Sequence, residues 1–183
     1  MSAIASYGLA IVGVVLMLIA ILPAFTTSLN YPTARLQLIN LLRTSPNRAE
    51  MMCKSMKGTF GEAIAMAMKT VAMTKSRDPA IIVQAMWPGY DAVAVNVGNA
   101  YKQILGKVKL AAMAVGGGLV LAISSNTFPV FHILAVLIAG GAFLLVMVRK
   151  TDAENAVVLA RRDLLPEVQN AFVEGRYIFP PGP

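Results

Sequence analysis

The sequence predicts an all-α integral membrane protein with three transmembrane helices and a small cytoplasmic helical bundle between helices 1 and 2. Three observations predict it. The chain of 183 residues is 57% apolar and only 14% charged, against about 25% charged in a typical soluble domain. No Asp, Glu, Lys or Arg occurs in residues 1–34 or 110–148, and charge in a bilayer core is costly. The stretches that do carry charge show helix starts and helical spacing, with no strand pattern. The same numbers exclude other classes. The chain is too hydrophobic for disorder, and with Cys53 as its one cysteine it has no disulfide framework.

The first charge-free window predicts one span. Its apolar core runs over residues 4–25, about the 20 residues a helix needs to cross. No Lys or Arg precedes it, it exceeds the roughly 7–15 residues of a signal-peptide core, and Ala20-Ile21-Leu22 offers no small-x-small cleavage site. The segment 1–32 is therefore read as a retained helix with its N-terminus outside.

Residues 33–108 predict a helical block. Leu36, Ile39 and Leu42 recur at helical spacing. Ser45-Pro46 reads as a cap followed by a first-turn proline. Residues 59–73 form an amphipathic helix with Phe60, Ile64, Ala67, Met68 and Val71 on one side and Glu62 and Lys69 off that stripe. Asp78-Pro79 repeats the cap-plus-proline signature and starts a helix over 80–86. Trp87-Pro88-Gly89 is expected to break it, leaving Asp91 to cap a last helix that runs through Tyr101 and Leu105 into the second span. Seven of the eleven methionines lie between Met51 and Met86. Methionine suits both the filling of an irregular helical core and adaptable binding faces.

The second window, residues 110–148, is too long for one crossing. Its 39 residues would make a helix of about 58 Å, whereas the hydrocarbon core is about 30 Å thick. Ser124-Ser125-Asn126-Thr127 and then Pro129 supply a turn near its middle. A hairpin over 109–148 with its tip at 124–129 follows. In the tail, 149–183, Val157, Leu164, Leu165, Val168 and Phe172 are the apolar members of a continuing helix. Pro166 is expected to kink or restart it and Gly175 to end it. Pro180-Pro181-Gly182-Pro183 reads as an extended end that docks on a neighbouring subunit.

Orientation follows from where the bases fall. Residues 35–109 carry eleven Lys and Arg against four acids, which accounts for the whole net charge of +7. The positive-inside rule then places this block and the tail in the cytoplasm, and the N-terminus and hairpin tip outside. Lys107, Lys109, Arg149 and Lys150 abut the apolar windows and are expected to meet anionic lipid headgroups. The bases are dispersed and not interleaved with aromatics, so nucleic acid is not an expected partner.

Few residues offer chemistry. One Cys, one His and no acid in any span leave no set of metal ligands, no cofactor and no catalytic residues. The chain is read as a non-enzyme. Gly116-Gly117-Gly118 lacks the strand, Lys and Ser/Thr context of a phosphate loop. Its physical reading is close helix packing: Ala112/Gly116 and Ala114/Gly118 are small-xxx-small pairs, and Gly140-Gly141 makes a second smooth patch. His132, Ser124 and Ser125, around the hairpin tip, are read as the candidate intramembrane polar site.

The order of parts resembles the MotA/TolQ/ExbB group of proton-channel subunits: outside N-terminus, one span, a basic helical cytoplasmic block, a two-span hairpin and a helical cytoplasmic tail. The likeness is one of layout and covers most of the chain. The second span carries Gly116-Gly117-Gly118 and Ser124-Ser125 where the family has a glycine- and threonine-rich signature. Residues 130–148 hold no Thr or Ser where the family has a pore-facing Thr, so no functional residue carries over. The resemblance implies a channel subunit that transduces proton-motive force with a partner helix. The residues themselves favour a scaffold or assembly subunit of a larger complex in the bacterial inner membrane, packed against copies of itself and other membrane subunits. A transporter or membrane-bound enzyme is the third alternative.

Overall fold

A computed structural model describes residues 2–26, 29–126 and 130–179. Every regular element among them is an α-helix: α1 (Ser2–Thr26), α2 (Tyr31–Thr44), α3 (Pro46–Ser55), α4 (Phe60–Thr74), α5 (Pro79–Ser124), α6 (Val130–Asp163) and α7 (Leu165–Val173). Three of these, α1, α5 and α6, are long and apolar enough to cross a membrane. The described residues form two compact units. One holds 2–26 with 100–151, the other 29–99 with 152–179.

Local signals place most helix ends. Ser45 stands at the N-cap position of α3 without a side-chain capping hydrogen bond, and Pro46 lies in the first turn. The Thr59 side chain accepts from the Gly61 N–H to cap α4. Asp78 Oδ1 accepts from the Ala80 N–H at 2.8 Å and opens α5. Pro166 restarts the helix as α7, and Gly175, at φ +73°, lies just beyond its end. Left-handed backbone suits a residue without a Cβ.

The break expected at Trp87-Pro88-Gly89 does not occur, because α5 continues through it for 46 residues. Proline removes one backbone hydrogen bond, here to the Gln84 carbonyl. Gln84 and Pro88 are both exposed, so water can serve that carbonyl. Met86 and Tyr90 on either side are buried and hold the helix by packing. Gly89 is required for another reason: a Cβ there would lie 2.3 Å from Thr70 Oγ1 of α4. Asp91 caps nothing; it pairs with Arg161 at 3.3 Å. Of the hairpin tip, Ser125 and Asn126 form a turn with Asn126 at φ +50°, and Thr127 and Pro129 lie outside the described residues. So do Pro180 to Pro183.

In the first unit, α1 runs antiparallel to α5. The buried residues of α1 are Ser6, Ala10, Gly13, Met17, Ala20 and Ala24, and those of α5 are Tyr101, Ile104, Val108, Ala111, Val115, Gly118 and Ala122. Both stripes step alternately by three and four residues, the heptad spacing of a left-handed two-helix seam. Along α6 the buried residues are His132, Ala135, Ala139 and Val146.

The second unit is a helical bundle around one apolar core. Leu38 and Leu42 of α2, Phe60, Ile64, Met68 and Val71 of α4, Ile82 and Met86 of α5, Leu164 of the α6–α7 turn, and Phe172 of α7 all contribute. The amphipathic stripe expected on α4 is fully buried. The methionines divide: Met68 and Met86 fill this core, while Met51 and Met73 are exposed.

Candidate functional site

Small residues set the seam of the first unit. A Cβ on Gly13 would lie 2.6 Å from Val115 Cγ2, 2.9 Å from the Val115 nitrogen and 3.0 Å from the Ala111 carbonyl oxygen. A Cβ on Gly118 would lie 3.0 Å from the Ser6 carbonyl oxygen and 3.1 Å from the Ala10 nitrogen. The two backbones approach this closely because these glycines carry no side chain, the usual device for packing helices in lipid. Gly117 faces the end of the Leu9 side chain, where a Cβ would come within 3.2 Å. Gly116, Gly140 and Gly141 have open space where a Cβ would be, and Ala112 is half-buried. Of the six small residues singled out in the sequence, Gly118 therefore belongs to the seam and Gly117 borders it. Gly13 is the tightest position. Its signal was present in the sequence: Ser6, Ala10, Gly13, Met17, Ala20 and Ala24 recur at three- and four-residue intervals in α1.

His132 is fully buried, and neither ring nitrogen has a hydrogen-bond partner among the described residues. Its ring packs against Tyr7 of α1 at 4.8 Å between centroids and against Phe131 at 5.8 Å. Ser6, one residue before Tyr7, is also buried, and its hydroxyl donates to the Ala3 carbonyl at 2.8 Å. Ser124 and Ser125 donate to the Leu121 carbonyl; Ser124 is exposed and Ser125 half-buried. The polar residue that touches His132 is thus Tyr7, which the sequence did not single out.

In the second unit, charge concentrates at two places. Asp163, where α6 ends, pairs with Arg162 and with Arg35 of α2, each at 2.8 Å, and accepts from the Tyr31 hydroxyl at 3.2 Å. These partners, Arg162 first, hold its carboxyl below the usual range. Burial, and then Asp163, push the Tyr31 phenol up to about 12. One turn on, Glu167 takes a fork of hydrogen bonds from Arg43, which lowers its carboxyl too. Elsewhere Arg161 stacks on Trp87 at 4.2 Å while bridging to Asp91.

The second place is where the C-terminal strap, residues 176–179, crosses α3. Asn47 clamps the Ile178 backbone, donating to its carbonyl at 2.8 Å and accepting from its N–H at 3.0 Å. Arg176 donates to the Leu42 carbonyl at 2.7 Å. The Tyr177 ring stacks on Phe172 at 4.2 Å, and its hydroxyl donates to the buried Glu50. Glu50 also pairs with Lys54 at 2.6 Å. Cys53 is buried nearby. Burial, and then the Glu50 charge, raise its thiol to about 12, so it stays protonated at neutral pH and is a packing residue rather than a nucleophile. Among the described residues no group of three or more His, Cys, Asp or Glu is placed to hold a metal ion.

The Asp163 and Glu167 pairs give the second unit a pH dependence. Both carboxyls sit lower in the folded chain than in the unfolded one, where they titrate at about 4. The unfolded chain takes up protons first, so the stabilisation is complete above about pH 5 and is lost as acid approaches the folded values. The denaturant midpoint is expected to fall between about pH 5 and pH 3, and less steeply in the Asp163→Asn variant. An identical acid slope in that variant would remove Asp163 as a source.

Comparison with protein-family models, with curated proteins and with solved structures returned no match.

Proposed function

We propose that this chain is a non-enzymatic membrane subunit that assembles with copies of itself and with other membrane subunits, as a scaffold of a larger bacterial inner-membrane complex. The observation that carries the reading is the division among the small residues. Gly13 and Gly118 are consumed by the seam inside the chain, whereas Gly140, Gly141 and Gly116 meet open space. Glycine in the middle of a helix weakens it by about 0.5–1 kcal/mol relative to Ala. Three such positions without a partner among the described residues fit a face that another helix covers at close range.

The distribution of bases supports an N-terminus and hairpin tip outside, with residues 29–99 and the tail in the cytoplasm. Lys107 and Lys109 are exposed and Arg149 is half-buried, next to the apolar windows. They suit the phosphates of anionic headgroups, with Lys150 beside them.

The test is native mass in mild detergent together with crosslinking in membranes. The wild-type chain is expected above the monomer mass. The double variant Gly140→Ile/Gly141→Ile is expected to shift toward monomer without loss of helical content. A wild-type chain that is a stable monomer and crosslinks to no protein in membranes overturns the proposal. Proton flux on reconstitution with a single-span partner that carries an intramembrane acid would replace it with the channel-subunit reading.

A further inference from the structure

We propose that His132 is a proton-responsive latch that holds the N-terminal end of α1 against α6 while its imidazole is neutral. The imidazole is fully buried, and among the described residues neither of its nitrogens has a hydrogen-bond partner. Buried polar groups in folded proteins are nearly always paired, and leaving one unpaired is unfavourable. A residue chosen only for packing would be Phe or Leu at this position. What histidine adds is a basic ring nitrogen, which Phe and Leu lack.

The surroundings decide what protonation does. The proton adds to the lone pair of the bare nitrogen and yields a cation with two N–H donors. No Asp or Glu occurs in residues 1–49 or 92–151, so neither charge-free window supplies a counter-ion. The titratable group facing the ring is the phenol of Tyr7 on α1. Residues 110–124 of α5 hold no titratable side chain, and His132 is the one titratable residue in 130–148 of α6. An imidazolium in this place has no anionic partner, and an unpaired buried charge is far more costly than an unpaired neutral group. The accessible relief is to turn outward. His132 stands in the first turn of α6 and its cover is Tyr7, itself partly exposed. Displacing Tyr7 separates the start of α1 from α6. The tight glycine contacts at Gly13 and Gly118 join α1 to α5 and do not involve His132. The inference does not depend on assembly with partners, since every group in it lies within one chain.

The full chain in lipid nanodiscs tests it. Nitroxide labels go on cysteines placed at Ile4 and Leu134, both exposed, in a Cys53→Ser background. At about pH 8 the interlabel distance is expected to be narrowly distributed, and at about pH 5 longer and broader. His132→Phe and His132→Gln, neither of which can take up the proton, are expected to keep the narrow distribution at both. The proposal is overturned if the His132-containing chain shows one distribution at both pH values, or if both variants respond to acid as it does. It is also overturned if both variants are broad already at about pH 8, which would make His132 a packing residue alone.

Discussion

Gly13→Ala is expected to destabilise the packing of α1 on α5 by about 1–3 kcal/mol, the usual cost of overpacking, and Gly13→Leu by more. The added methyl would meet backbone atoms of Val115 and Ala111 at 2.9 and 3.0 Å as well as the Val115 side chain. A side chain can rotate away, but a helix backbone cannot, so the helices must part along the seam. Gly118→Ala is expected to act in the same direction and less strongly, because its nearest contacts are 3.0–3.2 Å. Gly140→Ala and Gly116→Ala are the controls. With nothing among the described residues of the chain to meet, they are expected to leave the seam intact and to gain helix propensity within the chain, up to about 1 kcal/mol. Denaturation by a harsh detergent in mixed micelles, followed by helical content, measures all four. Equal loss in Gly13→Ala and Gly140→Ala would mean that the glycines matter only for backbone flexibility.

The second large effect is expected at Tyr177. Replacing it with Ala removes a buried aromatic ring stacked on Phe172 and the hydroxyl that Glu50 accepts from. Deleting a buried aromatic side chain costs about 3–5 kcal/mol. Tyr177→Phe separates the two contributions: it keeps the ring and is expected to cost about 1.5–3 kcal/mol, the range for a hydrogen bond to a charged group. Equilibrium unfolding in denaturant, with Trp87 as the fluorescent reporter, measures the difference. If Tyr177→Phe matches wild type, the Glu50 contact contributes nothing and the strap is held by its rings and by Asn47 alone.

The long apolar helices and the helix starts were legible in the sequence because each has a strong local cause. Residues 1–34 and 110–148 hold no Asp, Glu, Lys or Arg, a pattern visible without any tertiary structure. Asp78-Pro79 acts within a few residues of its own position and needs no distant partner. Pro88 misled for the converse reason. Its local cost is real but small beside the burial of Met86 and Tyr90, and that burial depends on residues far along the chain, such as Val157, whose carbonyl accepts from the Tyr90 hydroxyl. The glycines show the same limit: composition marks every one as a site of possible close approach, but only the phase of the helix tells Gly118 from Gly116. Asn47, Glu50 and Tyr177 were invisible as a group, since more than 120 residues separate the strap from α3.

The alternating three- and four-residue steps of the α1–α5 seam also constrain how this chain can change its length. Each residue inserted into or deleted from α1 turns everything beyond it by about 100° about the helix axis. One deletion between Ala10 and Gly13 would therefore swing Met17, Ala20 and Ala24 off α5 and put bulky neighbours in their place. A change of seven residues restores the orientation to within about 20°. Descendants of this sequence should thus tolerate length variation in α1 in whole heptads and reject single steps, so that the spacing of small residues persists where their identities drift.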